Sequence, residues 1–218
     1  MDGTQPHQQL LLPTEYIIIY ILLIMKDLRI YISEQVEKPV PQKVNVVIGR
    51  FQPFTKGHLK CVEWAYNEIG VPSVICMVDT KKADSRHPFL TKDLLPMMDS
   101  MTKDQGNHIV GVLTVRSADI VALVEACRSF GYEPVSWSCG TDRVEPYRKM
   151  ATRYAEDLGL DDSFRVVEIP RTDEDISASK VRGAIKDDDY EGYADMMPKE
   201  WRKRSVFGKL RKMIAAVQ

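Results

Sequence analysis

A parallel α/β domain, a Rossmann-like sheet flanked by helices with a small C-terminal helical extension, is predicted by three observations. Short apolar, β-branched runs alternate along the chain with segments of helical period, the order expected of strand-crossover-strand units. The first such run, Val44-Asn45-Val46-Val47-Ile48, has the composition of a strand buried on both faces, four of its five residues favouring β structure. It breaks at Gly49 into a loop ending in Gly57-His58, after which Leu59, Val62, Glu63, Ala65 and Tyr66 continue at helical spacing. With 218 residues, 44% of them hydrophobic and 28% charged, the chain can bury the core of one main domain.

Taken in order, the first segment to place is the apolar run from Tyr16 to Met25. Pro13, Thr14 and Glu15 cut it off from Leu10–Leu12, and the uninterrupted part falls short of the ~20 residues a helix needs to cross a bilayer. No Lys or Arg precedes it and no small-residue cleavage site follows, so a signal peptide fits no better. The favoured reading starts translation at Met25, with residues 1–24 a mis-assigned start. Leu28 to Ile32 is a candidate extra edge strand, and Glu34 to Lys43, with Pro39 and Pro41, is a linker. The main domain then spans residues 44–190, and 191–218 form the extension. Strands are expected at Val44–Ile48, Ser73–Val78, Ile109–Val115, Val135–Cys139 and Arg165–Ile169. Helices are expected near Gly57–Ile69, Thr91–Thr102, Asp119–Phe130, Arg143–Leu158 and Ser177–Lys186.

Several classes fall away on composition and motif. No Gly-x-Gly-x-x-Gly follows the first strand and no Gly-x-x-x-x-Gly-Lys-Ser/Thr occurs, which disfavours a dinucleotide-dependent dehydrogenase and a P-loop kinase. A formal net charge of −1 gives no general attraction to nucleic acid. The basic tail from Lys199 to Lys212 lacks interleaved aromatics and reads as a solvated helix face. Neither a nucleic acid nor a membrane is therefore an expected partner. Cys61, Cys76, Cys127 and Cys139 form no Cys-x-x-Cys pair and have no histidine ladder beside them, against zinc and against a secreted disulfide scaffold. Cys61, Cys76 and Cys127 fall in apolar runs as reduced core residues, and the compartment expected is the cytoplasm.

The loop after the first strand carries the chemistry. Gly49 lets the backbone leave the sheet sharply, Pro53 stiffens the turn, and Gly57 removes a side chain where a ligand must touch the main chain. His58, in the first helical turn, sets an imidazole donor beside free N–H groups at the positive end of the helix dipole, a combination that favours phosphate oxygens. Phe51 and Phe54 serve to anchor the loop. A bare Gly-x-x-His also occurs in ordinary strand-turn-helix junctions, so a second segment has to decide. Arg171 to Ile185 contains Ile176-Ser177-Ala178-Ser179-Lys180-Val181-Arg182, in which Ser177 as a helix N-cap aims hydroxyls, first-turn N–H groups and Arg182 at one spot suited to β- and γ-phosphates.

Gly49-Arg50-Phe51-Gln52-Pro53-Phe54-Thr55-Lys56-Gly57-His58 resembles the (His/Thr)-x-Gly-His signature of the nucleotidylyltransferase α/β-phosphodiesterase superfamily. It is most similar to archaeal-type nicotinamide mononucleotide adenylyltransferases, which carry His where Thr55 stands; other branches, including cytidylyltransferase-like proteins of large tailed phages, carry Thr there. Ile176 to Arg182 resembles the family's Ile-Ser-x-(Ser/Thr)-x-(Val/Ile)-(Arg/Lys) segment. Arg86-His87-Pro88-Phe89-Leu90-Thr91 resembles its Arg-Asn/Asp-Pro-Phe-Thr element, from which His87 departs and is given no role. Lys186 to Pro198 looks like the family's turn and following helix, and the likeness covers Val44 to about Trp201.

What the resemblance implies is transfer of a nucleoside monophosphate from a nucleoside triphosphate to a phosphomonoester, with release of pyrophosphate. His58, Thr55, Arg182 and Arg50 are the implied catalytic residues. Gly49, Phe51, Gly57, Arg86, Gly140, Asp142, Ser177 and Ser179 are the implied nucleotide-binding ones. Mg²⁺ would accompany ATP, held mainly by phosphate oxygens and water, with no dedicated protein metal site. The partners are ATP and a phosphorylated small molecule such as nicotinamide mononucleotide, and members of the family often self-associate. Gly140-Thr141-Asp142-Arg143, after the fourth strand, looks instead like the Gly-Ser-Asp of cytidylyltransferase-like proteins. The family's nicotinamide-stacking Trp has no counterpart between Ala118 and Phe130. CTP with another acceptor, and a non-catalytic nucleotide-binding module, therefore stand beside the first reading.

Overall fold

The computed structural model describes residues 40–103, 106, 108–170 and 176–217. The candidate edge strand at Leu28–Ile32 and the reading of residues 1–24 lie outside the described residues. Elements follow in the order β1 (Gln42–Gly49), α1 (Lys56–Ile69), β2 (Ser73–Val78), α2 (Thr91–Thr102), β3 (Ile109–Val115), α3 (Ile120–Ser129), β4 (Tyr132–Cys139), α4 (Thr141–Tyr154) and β5 (Arg165–Glu168). Then come α5 (Ala178–Lys186), α6 (Tyr190–Met196), a 3-10 turn at Lys199–Trp201 and α7 (Arg204–Ala215). The five strands form one parallel sheet in the order β3-β2-β1-β4-β5. This is the predicted α/β Rossmann-like fold.

Both faces of the sheet are covered, as a parallel sheet requires. Val47, Ile75 and Met77 project to one face, where Val62, Leu94, Met98, Val181, Tyr193, Phe207 and Leu210 bury them. The C-terminal helices α6 and α7 thus pack into the same core as α1, α2 and α5. Val46, Val74 and Cys76 project to the other face, against Leu123, Cys127, Trp137 and Val144. Each large side chain so buried is worth ~1.5–3 kcal/mol of transfer free energy.

Boundaries differ from expectation where backbone pairing outruns hydrophobic pattern. β1 begins at Gln42, because the polar pair Gln42 and Lys43 still ladders onto Tyr132 and Glu133 of β4. The linker therefore ends before Gln42. Helix α4 begins at Thr141, since Gly140 in extended conformation (φ −70°, ψ 161°) acts as its N-cap. Asp142 lies inside the first turn, paired with Arg143 at 3.3 Å, and does not cap. Among the described residues no helix is long and apolar enough to cross a membrane.

Candidate active site

Strand order reverses between β1 and β4, and ligands of open α/β sheets collect at the carboxyl ends of strands at such a point. A cavity of about 690 Å³ opens there. Its walls come from the ends of the strands and the loops that follow them: Gly49, Arg50 and Phe51 after β1, Asp79 after β2, Arg116 and Ser117 after β3, Cys139, Gly140 and Arg143 after β4, and Ile169 after β5. His58 and Tyr147 complete it from α1 and α4.

The loop from β1 to α1 presents the imidazole. Thr55, extended and almost fully buried, is the N-cap of α1, and His58 is the third residue of the helix. The pair forms a capping box, with His58 in the position usually taken by Glu or Gln. Thr55 Oγ1 accepts from the His58 backbone N–H (3.4 Å), while the Thr55 backbone N–H donates to His58 Nδ1 (3.0 Å). A ring nitrogen that accepts an N–H carries no proton, so the neutral ring holds its proton on Nε2. Phe51 meets the ring edge-on at 5.2 Å, and Phe54 lies 5.2 Å away, tilted by 31°. Burial among these groups pushes the His58 pKa down to about 4. His58 is accordingly a neutral donor near pH 7, and positive charge at the cavity comes from Arg50, Arg116 and Arg143.

Two glycines make close approaches within the protein itself. A Cβ at Gly49 would sit 3.1 Å from the Phe51 ring, so this glycine makes room for Phe51, which turns back at a positive φ of 47°. A Cβ at Gly57 would sit 3.3 Å from the Ile176 carbonyl oxygen, so its close approach is to protein backbone. That approach brings the second motif to the first. Ser177 caps α5, its Oγ accepting from Lys180 N–H at 3.2 Å, as expected. Arg182 donates to the Gln52 carbonyl oxygen (2.6 Å) and to Ser179 Oγ (3.0 Å), and partial burial lowers its pKa. Thr55, Gly57, Ser177, Ser179 and Arg182 are thus gathered around one loop but do not line the cavity. They shape the loop that presents Arg50, Phe51 and His58.

The third motif is attached by a residue the sequence reading passed over. Gln52, buried, donates from Nε2 to the Phe89 carbonyl (2.7 Å) and accepts the Phe89 N–H on Oε1 (3.0 Å). Thr91 closes the base of the same segment, its Oγ1 accepting from Thr80 N–H at 2.7 Å. Arg86 is exposed and off the cavity wall. Gln52→Ala leaves two backbone groups of Phe89 unpaired; the expected loss is about 1–3 kcal/mol, read as a lower denaturant midpoint. An unchanged midpoint would show that water replaces the clamp.

Asp79, Arg116, Ser117 and Tyr147 also escaped sequence reasoning as site residues, whereas Arg143 belongs to the stretch after β4 already singled out. The usable signal was positional, since three of them lie just after strands that feed the same rim. Tyr147 stacks on fully buried Trp137 at 3.7 Å. All four cysteines are free; Cys61 lines the cavity and is only half-buried. Cys139 is pushed up to about 11, first by burial and then by Asp142 and Glu168, which keeps it a neutral thiol.

Comparison with known proteins agrees with this architecture. The family model described as cytidylyltransferase-like matches residues 46–184. No curated protein gives a significant match. Two structures of a bifunctional NMN adenylyltransferase/ADP ribose pyrophosphatase from Francisella tularensis align with 81% of this chain at 13% and 15% identity and TM-scores of 0.53 and 0.56. The first of them is complexed with AMP and a manganese ion. The chain covers 52% of that protein, about half its length. A candidate nicotinate-nucleotide adenylyltransferase from Vibrio parahaemolyticus aligns over 78% of this chain and 98% of its own, at 16% identity and a TM-score of 0.51. At these identities the structures establish the shared fold. The family match spans more than half of the sequence, so the chain belongs to the cytidylyltransferase-like family of the nucleotidyltransferase superfamily.

Proposed function

We propose that the protein transfers a nucleoside monophosphate from a nucleoside triphosphate to a phosphomonoester, releasing pyrophosphate, with ATP and nicotinamide mononucleotide as the first pair to test. The observation that carries this is the setting of His58: its Nδ1 is occupied by Thr55 N–H, which leaves Nε2–H as the ring's remaining donor, and His58 lines the cavity together with Arg50, Arg116 and Arg143. Such a set neutralises a polyanion and donates to oxygens around the α-phosphorus as pyrophosphate departs. A phosphomonoester acceptor, its second pKa ~6, is largely dianionic near pH 7 and attacks without a general base.

Among the described residues no three His, Cys, Asp or Glu side chains gather to hold a metal, and Asp79 is the one carboxylate on the cavity wall. That donor set fits a hard divalent ion such as Mg²⁺ carried in on triphosphate oxygens and water, with Asp79 the protein carboxylate at hand. When bound, the ion offsets charge on the phosphates. The chain's own residues orient the triphosphate and donate hydrogen bonds.

The cytidylyltransferase reading has its own support in the family match and in Gly140 and Arg143 on the wall. Pyrophosphate release from ATP and from CTP over a panel of phosphorylated acceptors, with Mg²⁺, separates the two; release from neither defeats both. Arg182→Ala is expected to slow turnover about 10-fold and to lower stability by ~1–2 kcal/mol, because it frees the Gln52 carbonyl and with it the loop bearing His58. Unaltered turnover in the steady-state assay would remove Arg182 from this role.

A further inference from the structure

Arg50 reaches out of its loop to a partner 37 positions along the chain. Its Nη1 donates to His87 Nε2 at 2.9 Å, and Arg50 itself lines the cavity. For Nε2 to accept, its proton must be absent, and the ring proton then lies on Nδ1. Nδ1 faces Asp84 Oδ1 at 3.4 Å, and the same carboxylate oxygen accepts the backbone N–H groups of Arg86 (2.8 Å) and His87 (2.6 Å). Those backbone bonds, that of His87 foremost, hold the Asp84 carboxyl below its usual range. The turn carrying His87 is pinned behind it by the grip of Gln52 on Phe89.

We infer that His87 is a positioning residue that presents the Arg50 guanidinium to the nucleotide's phosphates, an inference resting on the nucleotidyltransferase reading of the cavity. The choice of partner has a physical consequence. A carboxylate in contact with Arg50 would fix the side chain but compete with phosphate oxygens for its N–H donors, whereas a neutral imidazole fixes it through one donor and adds no opposing charge. Asp84 sits one residue removed, where it sets the tautomer of His87 and touches Arg50 only through the ring. Pre-ordering a long side chain in this way removes an entropic cost that binding would otherwise carry.

The test is calorimetric binding of MgATP and MgCTP to the full chain as wild type, R50A, H87A, H87Q, H87K and the R50A/H87A double variant, each checked for an unaltered thermal midpoint. H87A is expected to weaken nucleotide binding about 3–10-fold, the effect of one rotamer-rich side chain left to be ordered on binding. H87Q, which keeps an acceptor, should return most of the loss. H87K, which sets a second cation against Arg50, should bind no better than H87A. In the R50A background H87A should have no further effect, a coupling that a purely structural histidine would not show. Equal losses from H87A with and without Arg50, or none in either, would overturn the inference while leaving the nucleotide site standing. Wild-type protein that binds neither nucleotide would overturn the site reading, and this inference with it.

Discussion

His58→Ala is expected to lower turnover ~10²-fold or more, the usual consequence of losing one preorganised donor to developing oxyanion charge. Alanine also removes half of the capping box, since the Thr55 N–H loses Nδ1 as its acceptor, at a cost of ~0.5–2 kcal/mol. A fall in activity could then be read as a loosened loop, and a second substitution removes that ambiguity. Glutamate is the standard residue at this position of a capping box, so His58→Glu should hold the Thr55 N–H and keep the fold while placing a carboxylate where the Nε2–H donor stood. The expected result is a thermal midpoint near wild type for His58→Glu with turnover below that of His58→Ala. Gln, with an acceptor and a donor on one amide, should fall between wild type and Ala. Steady-state pyrophosphate release beside thermal unfolding checks all three, and a fully active His58→Glu would end the proposed mechanism.

The same residue predicts a pH effect of definite sign. Its pKa is about 4 in the fold against 6.5 for the free side chain, so the unfolded chain binds this proton more readily. The contribution of neutral His58 to stability is whole above about pH 6.5 and is lost as pH falls toward 4. Denaturation midpoints of wild type and His58→Gln should therefore separate above pH 6.5 differently than near pH 4, with wild type losing more stability on acidification. Parallel curves across that window would place the proton elsewhere.

How far the sequence revealed this molecule follows from which interactions are local. Ser73–Val78, Ile109–Val115 and Thr91–Thr102 were legible to the residue, because apolar runs and helical period are local patterns. The place of His58 in the first helical turn and the cap at Ser177 were equally legible, since a helix start is set by its own neighbours. The partners of those residues were not. Nothing beside Gln52 in sequence indicates that it will hold Phe89, nor does Arg182 announce that its guanidinium will bond the Gln52 carbonyl, 130 positions away. The neutral state of His58 was likewise hidden, because it comes from Phe51 and Phe54 folding around the ring. Arg116 became a site residue only once β3 joined the sheet beside β2 and delivered it to the rim.

Asn45 is the polar residue in an otherwise β-favouring run, and the structure explains it. Fully buried in central β1, its Nδ2 donates to Ser73 Oγ on β2 (3.0 Å), while its Oδ1 accepts from Ser136 Oγ (2.9 Å) and Ser138 Oγ (2.8 Å) on β4. One amide joins three strands across the switch point, and Ser138 lines the cavity. Asn45→Val satisfies β propensity and hydrophobicity, yet it leaves three buried hydroxyls without this partner. At ~1–3 kcal/mol for each unsatisfied group, offset where a hydroxyl turns to a backbone carbonyl, the expected loss is about 3 kcal/mol. That is a large part of the 5–15 kcal/mol that typically holds a domain of this kind, of order. Removing both sides of a buried hydrogen bond is far milder than removing one, so Asn45→Val combined with Ser73→Ala, Ser136→Ala and Ser138→Ala should recover most of the loss in urea unfolding. If the single variant were as stable as wild type, the hydroxyls would be finding partners within their own strands. Asn45 would then serve β1 register rather than cross-strand cohesion.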